Sequence, residues 1–135
     1  MKAVLETCIL KLATLPRTDN PSALIVKLAV AALLECWASP AMLEEYAAVL
    51  AEEPELLALI HEHFQICYPL VELDYVRHEA DNRFLECALA ASVDYLVTVN
   101  VARGHFDSER YGPTRVTTPG EFVNLPPVQA LLRRL

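Results

Sequence analysis

Residues 80–100, ADNRFLECALAASVDYLVTVN, join a helix of small residues to a buried strand that ends on polar side chains. Such a unit feeds a parallel sheet and leaves its polar residues at the carboxyl end of a strand, the edge where open α/β sheets bind ligands. Similar alternation runs along the chain. Short apolar strands are expected at residues 2–5, 33–38, 66–73, 94–99 and 114–117, with Pro69 either demoting the middle of the third or marking it as an edge. Helices are expected from Pro21 to about residue 32, from Pro40 to about 52, from Pro54 to about 65, from Asp81 to 91, over 119–123 and over 127–135. Ser39 before Pro40 pairs a capping hydroxyl with a proline suited to the first helical position. The expected fold is α/β, a three-layer α/β/α sandwich with a central, mostly parallel sheet and right-handed crossovers.

The 135 residues fit one domain, 1–135, and a hydrophobic fraction of 54% can cover both faces of a sheet. No apolar run has the length of a bilayer-spanning helix, and the first residues lack the cleavage site of a secretory signal, so no membrane association and a cytoplasmic location are expected. The cysteines Cys8, Cys36, Cys67 and Cys87 form no CxxC pair and read as free buried thiols. Net charge is −7, concentrated in the first half: residues 1–75 carry four Lys/Arg against eleven Asp/Glu, and residues 76–135 carry seven of each. Phosphate affinity rests on cations. A nucleic-acid substrate would therefore need bound metal and the arginines Arg77, Arg83, Arg103, Arg110 and Arg115.

Three acids stand at element ends or on a helix shoulder. Glu6 follows the first strand and either caps the next helix or faces the sheet edge, with Thr7 able to orient it. On the third helix, about 100° per residue puts Met42, Tyr46, Val49 and Leu50 on one stripe, Glu44 opposite it and Glu45 on its shoulder. Asp81 is a preferred helix-capping type ahead of an inner face of Phe84, Cys87, Ala88 and Ala91. Glu86 falls opposite Phe84 and reads as a surface acid, and Asp94 belongs to the turn at the far end of its strand. Asn100 ends the fourth strand with an amide oxygen able to meet a metal directly or through water. His105 follows on a loop, placed to contact phosphate or move a proton, and His78 is an alternative ligand near Asp81. Taken singly, each acid is more simply a cap or a boundary residue. No nucleophile–base pair and no Gly-rich phosphate loop accompanies them, which leaves covalent hydrolysis and nucleotide binding weakly supported.

The order and setting of these residues carry more than any one of them. VLETCIL, SPAMLEEYAAVL, RHEADNRFLECALAASVDYLVT, VNVARGHF and YGPTRVTTPGEFV resemble, in turn, the motifs of the PIN-domain family, and specifically of its bacterial toxin components. The resemblance implies a magnesium- or manganese-dependent endoribonuclease in which Glu6, Glu45 and Asp81 hold the cation and Asn100 assists through water. A metal-activated water would attack the RNA phosphodiester. Thr7, Arg83, Arg103 and His105 would face the substrate. The chain departs from the pattern at Glu6 (usually Asp), Cys8 (usually Asn), Val99 (usually Gly) and Asn100 (often Asp). These departures motivate an alternative reading as a binding or regulatory module. An acidic toxin would pair with a basic or amphipathic antitoxin segment, and apolar faces at residues 56–60 and 128–132 would pair two copies.

Overall fold

The computed structural model describes residues 1–101 and 105–135. Its order is β1 (Lys2–Leu5), α1 (Thr7–Ala13), α2 (Pro21–Val30), β2 (Glu35–Ala38), α3 (Pro40–Val49), α4 (Pro54–His63), β3 (Gln65–Ile66), α5 (Glu79–Ala90), β4 (Tyr95–Val97), β5 (Arg110–Tyr111), β6 (Thr114–Thr117), α6 (Pro119–Val123) and α7 (Pro126–Leu132). The strands form one sheet in the order β3-β2-β1-β4-β6-β5, parallel throughout except where β5 runs against β6. With helices on its faces, this is the expected α/β/α sandwich. No helix among the described residues is long and apolar enough to cross a membrane.

The centre of the sheet explains itself from the sequence. Ala3, Val4 and Leu5 of β1 are fully buried, as are Leu96 and Val97 of β4, because helices close both faces. Helix α5 lies across β1, β2 and β4 and inserts Phe84, Cys87 and Ala88 into the core. Tyr46 of α3 is also fully buried. Its hydroxyl donates to the Leu5 carbonyl at 2.6 Å, and its ring meets Phe64 edge-on at 6.3 Å. A buried phenol keeps its partner this way, and the contact ties α3 to the end of β1.

Three helices that open on proline carry a side-chain cap. Ser39 accepts from the Met42 amide at 3.2 Å, Asn20 from the Ala23 amide at 3.2 Å, and Thr118 from the Glu121 amide at 3.3 Å. Asp81 differs from expectation. Helix α5 starts at Glu79 with His78 as its cap, which puts Asp81 in the first turn. The hairpin of β5 and β6 was not anticipated. Its turn uses Gly112 at φ +55°, a region open to glycine. A Cβ there would also sit 3.3 Å from Leu89 Cδ2. Gly112→Ala is expected to cost about 1–2 kcal/mol in urea unfolding.

The third strand is much shorter than residues 66–73. After Ile66 the chain leaves β2 and runs as an irregular strap to α5, because side chains of α5 take its backbone donors. The Leu73 amide donates to Glu86 at 2.8 Å, and the Tyr75 and Val76 amides donate to Asn82 Oδ1 at 2.9 and 3.0 Å. Glu86 is consequently buried, not a surface acid. The strap covers its side of α5, and Arg83 Nη2 lies 2.8 Å from its carboxylate.

Candidate active site

The register of the central strands builds the site. Leu5 pairs with Val97, so Glu6 and Thr98 leave the sheet side by side, and the Glu6 amide donates to the Val97 carbonyl at 3.0 Å. Glu6 caps α1, accepting from the Cys8 amide at 3.4 Å. The same carboxylate oxygen accepts from Asn100 Nδ2 at 3.2 Å and from Thr98 Oγ1 at 3.5 Å. Thr98 also accepts from the Asn100 amide at 2.9 Å, which fixes the turn that aims Asn100 inward. Thr98 was not singled out from the sequence. Its signal was available: a hydroxyl within VTVN, at the end of a buried strand, two residues before a polar candidate.

Glu45 arrives from α3 and meets Thr7, whose hydroxyl donates to its carboxylate. Glu6, Thr7 and Glu45 line a cleft of about 430 Å³ together with Cys8, Lys11 and Val99. Asp81, buried in the first turn of α5, meets His105 from the loop after β4, with Nδ1 to Oδ2 at 2.6 Å. His78 stacks on His105 with ring centroids 3.7 Å apart and planes 6° from parallel. Each acid is thus held by a different side chain, Asn100 and Thr98 for Glu6, Thr7 for Glu45 and His105 for Asp81. Asp94 lies at the opposite end of the sheet, accepting from the Lys2 amide at 2.9 Å. Arg83 is engaged by Glu79 and Glu86 at 2.8 Å and by Glu72 at 3.5 Å. Arg103 lies outside the described residues.

Asp81 and Glu45 both stand near enough to Glu6 for their charges to act on it. Burial raises the Glu6 pKa above 4.5; the Cys8 hydrogen bonds partly offset this, and the negative charges of Asp81 and Glu45 push it higher again. Folding therefore makes ionised Glu6 less favourable. Its contribution to stability is full below about pH 4.5 and is lost as pH rises through the raised folded value. In the presence of a chelator, Glu6→Gln is expected to melt above the native protein at neutral pH. The gap should close as the pH falls below about 4.5, a comparison that differential scanning fluorimetry across pH will make.

The donor set suits a hard divalent cation: carboxylates, an amide and a hydroxyl, with no ion pair to Glu6 or Glu45 among the described residues. The carboxylates do not themselves close into a cage. Among the described residues no three His, Cys, Asp or Glu side chains stand close enough to hold an ion. Magnesium keeps several of its waters, so a looser set of acids still fits it. Cysteine chemistry fits less well. Burial, reinforced by Glu6, pushes the Cys8 thiol up to about 12, which keeps it protonated at neutral pH.

No curated protein matches the chain. The profile of the PIN domain matches residues 2–102, a span that holds Glu6, Glu45, Asp81 and Asn100. Since that span is most of the sequence and the sheet has the matching α/β/α layers, the chain belongs to the PIN-domain family, a nuclease-type fold whose members generally use divalent metals.

Proposed function

We propose that the protein is a magnesium- or manganese-dependent endoribonuclease and the toxin component of a toxin–antitoxin pair, acting in the cytoplasm. The observation that supports this reading is that Glu6 and Glu45, from separate parts of the chain, line one cleft, with the charges of Asp81 and Glu45 both acting on Glu6. Glu6, Glu45 and Asp81 would hold the cation, and Asn100 would assist through water. A bound divalent ion supplies an activated water and positive charge for hydrolysis of the phosphodiester.

The protein's own residues prepare the site. Asn100 and Thr98 fix the Glu6 carboxylate, Thr7 fixes Glu45 and His105 fixes Asp81, so little reorganisation remains when substrate arrives. Thr7 and His105 border the acids and face the substrate in this reading. Arg83 would reach a phosphate by exchanging its contacts with Glu72 and Glu79, whose side chains are 89% and 72% exposed and therefore bind it weakly. RNA, a basic or amphipathic antitoxin segment and a second copy of the chain are the partners of this reading.

Cleavage of single-stranded RNA in Mn²⁺, abolished by chelator and by Glu45→Ala, is the expected result; RNA left intact by the native protein in both Mg²⁺ and Mn²⁺ would refute the reading. A second reading, a PIN fold kept as a binding module, is favoured by the absence of a closed three-acid cluster among the described residues. That reading predicts no cleavage and no heat of Mn²⁺ binding.

A further inference from the structure

Two stacked aromatic pairs join the strap to the segment between β4 and β6. Tyr75 of the strap lies 6.5 Å from Tyr111 of β5 between ring centroids, with the planes 14° from parallel. His78, where the strap meets α5, stacks on His105 at 3.7 Å, and His105 in turn touches Asp81. Filling the core does not explain these rings, because Tyr75 is 59% exposed and His78 is exposed as well. Their backbone is nonetheless fixed. Asn82, fully buried, takes the Tyr75 and Val76 amides on its Oδ1 and donates to the Val76 carbonyl at 3.0 Å. Val76 is buried, and its neighbours Tyr75 and Arg77 are left facing solvent. On the other side the buried Phe106 anchors the loop after β4, and the Tyr111 hydroxyl accepts from the Ser108 amide at 3.3 Å.

We propose that Tyr75 and His78 form a stacking platform for unpaired bases of the RNA and thereby confine cleavage to single-stranded stretches. Rings held rigidly with a face open to water suit this occupant, since every base has a flat face to stack once it is unpaired. The bases of a duplex are already stacked on one another, so the platform gains nothing from it. The role in cleavage rests on the ribonuclease reading of the acids; the binding of RNA does not.

Position and charge both favour this occupant. A base laid on the outer face of His78 would continue the pile of imidazoles that ends at Asp81, which leads the backbone of that nucleotide toward the acids. Arg77, between the two platform residues, is exposed and makes no ion pair among the described residues. Residues 1–75 carry four Lys/Arg against eleven Asp/Glu, whereas residues 76–135 are balanced, so a polyanion meets less repulsion from the half that holds Arg77, His78, His105 and Tyr111.

The test is a titration of the full chain into a short oligouridine that carries a terminal dye and one central 2-aminopurine, a base whose emission falls when it stacks. Ca²⁺ replaces Mn²⁺ to hold hydrolysis back. The native protein is expected to raise the dye's anisotropy and to quench the 2-aminopurine. Tyr75→Ala and His78→Ala should keep the native melting temperature, lose most of the quenching and bind at least about fivefold more weakly. Tyr75→Phe keeps the ring and should bind as the native protein does. Native protein that leaves the 2-aminopurine unquenched, alanine variants that bind as tightly as it does, or a duplex of the same length bound equally well would each overturn the proposal. Cleavage assays in Mn²⁺ separate it from the ribonuclease reading. Quenching without cleavage would support the platform and refute that reading, and cleavage without quenching would do the reverse.

Discussion

Asp81→Asn is expected to reduce metal-dependent RNA cleavage by at least about 100-fold, the scale of losing one preorganised electrostatic group from an active site. The side chain is 7% exposed and keeps nearly its shape and volume in the variant. Asparagine can still hydrogen-bond to His105, so the loop after β4 should stay where it is. What disappears is one negative charge that acts on Glu6. That change opposes cation binding but relieves repulsion in the metal-free protein, so the variant should be at least as stable as the native chain in chelator. Loss of activity joined to unchanged or increased stability separates a role in the chemistry from a role in the fold. Cleavage assays in Mn²⁺ alongside urea unfolding in chelator read both. A variant that cuts RNA at the native rate would remove Asp81 from the mechanism.

Glu86→Ala is expected to cost about 3 kcal/mol by urea unfolding. The Glu86 side chain is 8% exposed and Arg83 is 25% exposed, with Arg83 Nε already buried and unpaired. Removing the carboxylate would leave the guanidinium short of its innermost partner and the Leu73 amide without an acceptor. Glu86→Gln should cost less, since it keeps an acceptor for that amide. Replacing Arg83 and Glu86 together with leucine should recover most of the loss, because the expense lies in leaving the guanidinium without its innermost partner. A glutamine variant as stable as the native protein would show that the ion pair contributes little.

The parts of the fold that were legible in the sequence are those whose signals are local. Proline at a helix start announced α2, α3 and α6, joined at α3 by the capping Ser39, and continuous apolar runs announced β1 and β4 at the centre of the sheet. The strap was not legible, because ICYPLVEL is apolar and rich in strand-forming residues. Its backbone donors go to Asn82 and Glu86, an outcome decided by a helix that begins more than a dozen residues after β3. The same contact misled the reading of Glu86, whose helical position opposite Phe84 suggests water when only α5 itself is considered. Strands as short as β5 carry too few residues for a period to show.

The candidate site divides in the same way. Glu6, Glu45 and Asp81 were visible as an ordered set but not as a cluster, since an isolated acid at a helix start is usually a cap. Glu6 is in fact both, capping α1 while sharing charge repulsion with the other two. The residues that hold the acids were harder to find. The meeting of His105 with Asp81 and of Thr98 with Glu6 joins positions 24 and 92 residues apart, and no spacing rule encodes either.

Isothermal titration with Mn²⁺ tests the account most directly. The native protein is expected to bind the ion with micromolar affinity, while Glu45→Ala and Asp81→Ala, folded in the same buffer, lose the heat. Native protein that releases no heat on titration, or both variants binding as tightly as it does, would contradict the claim that these acids form one cation site.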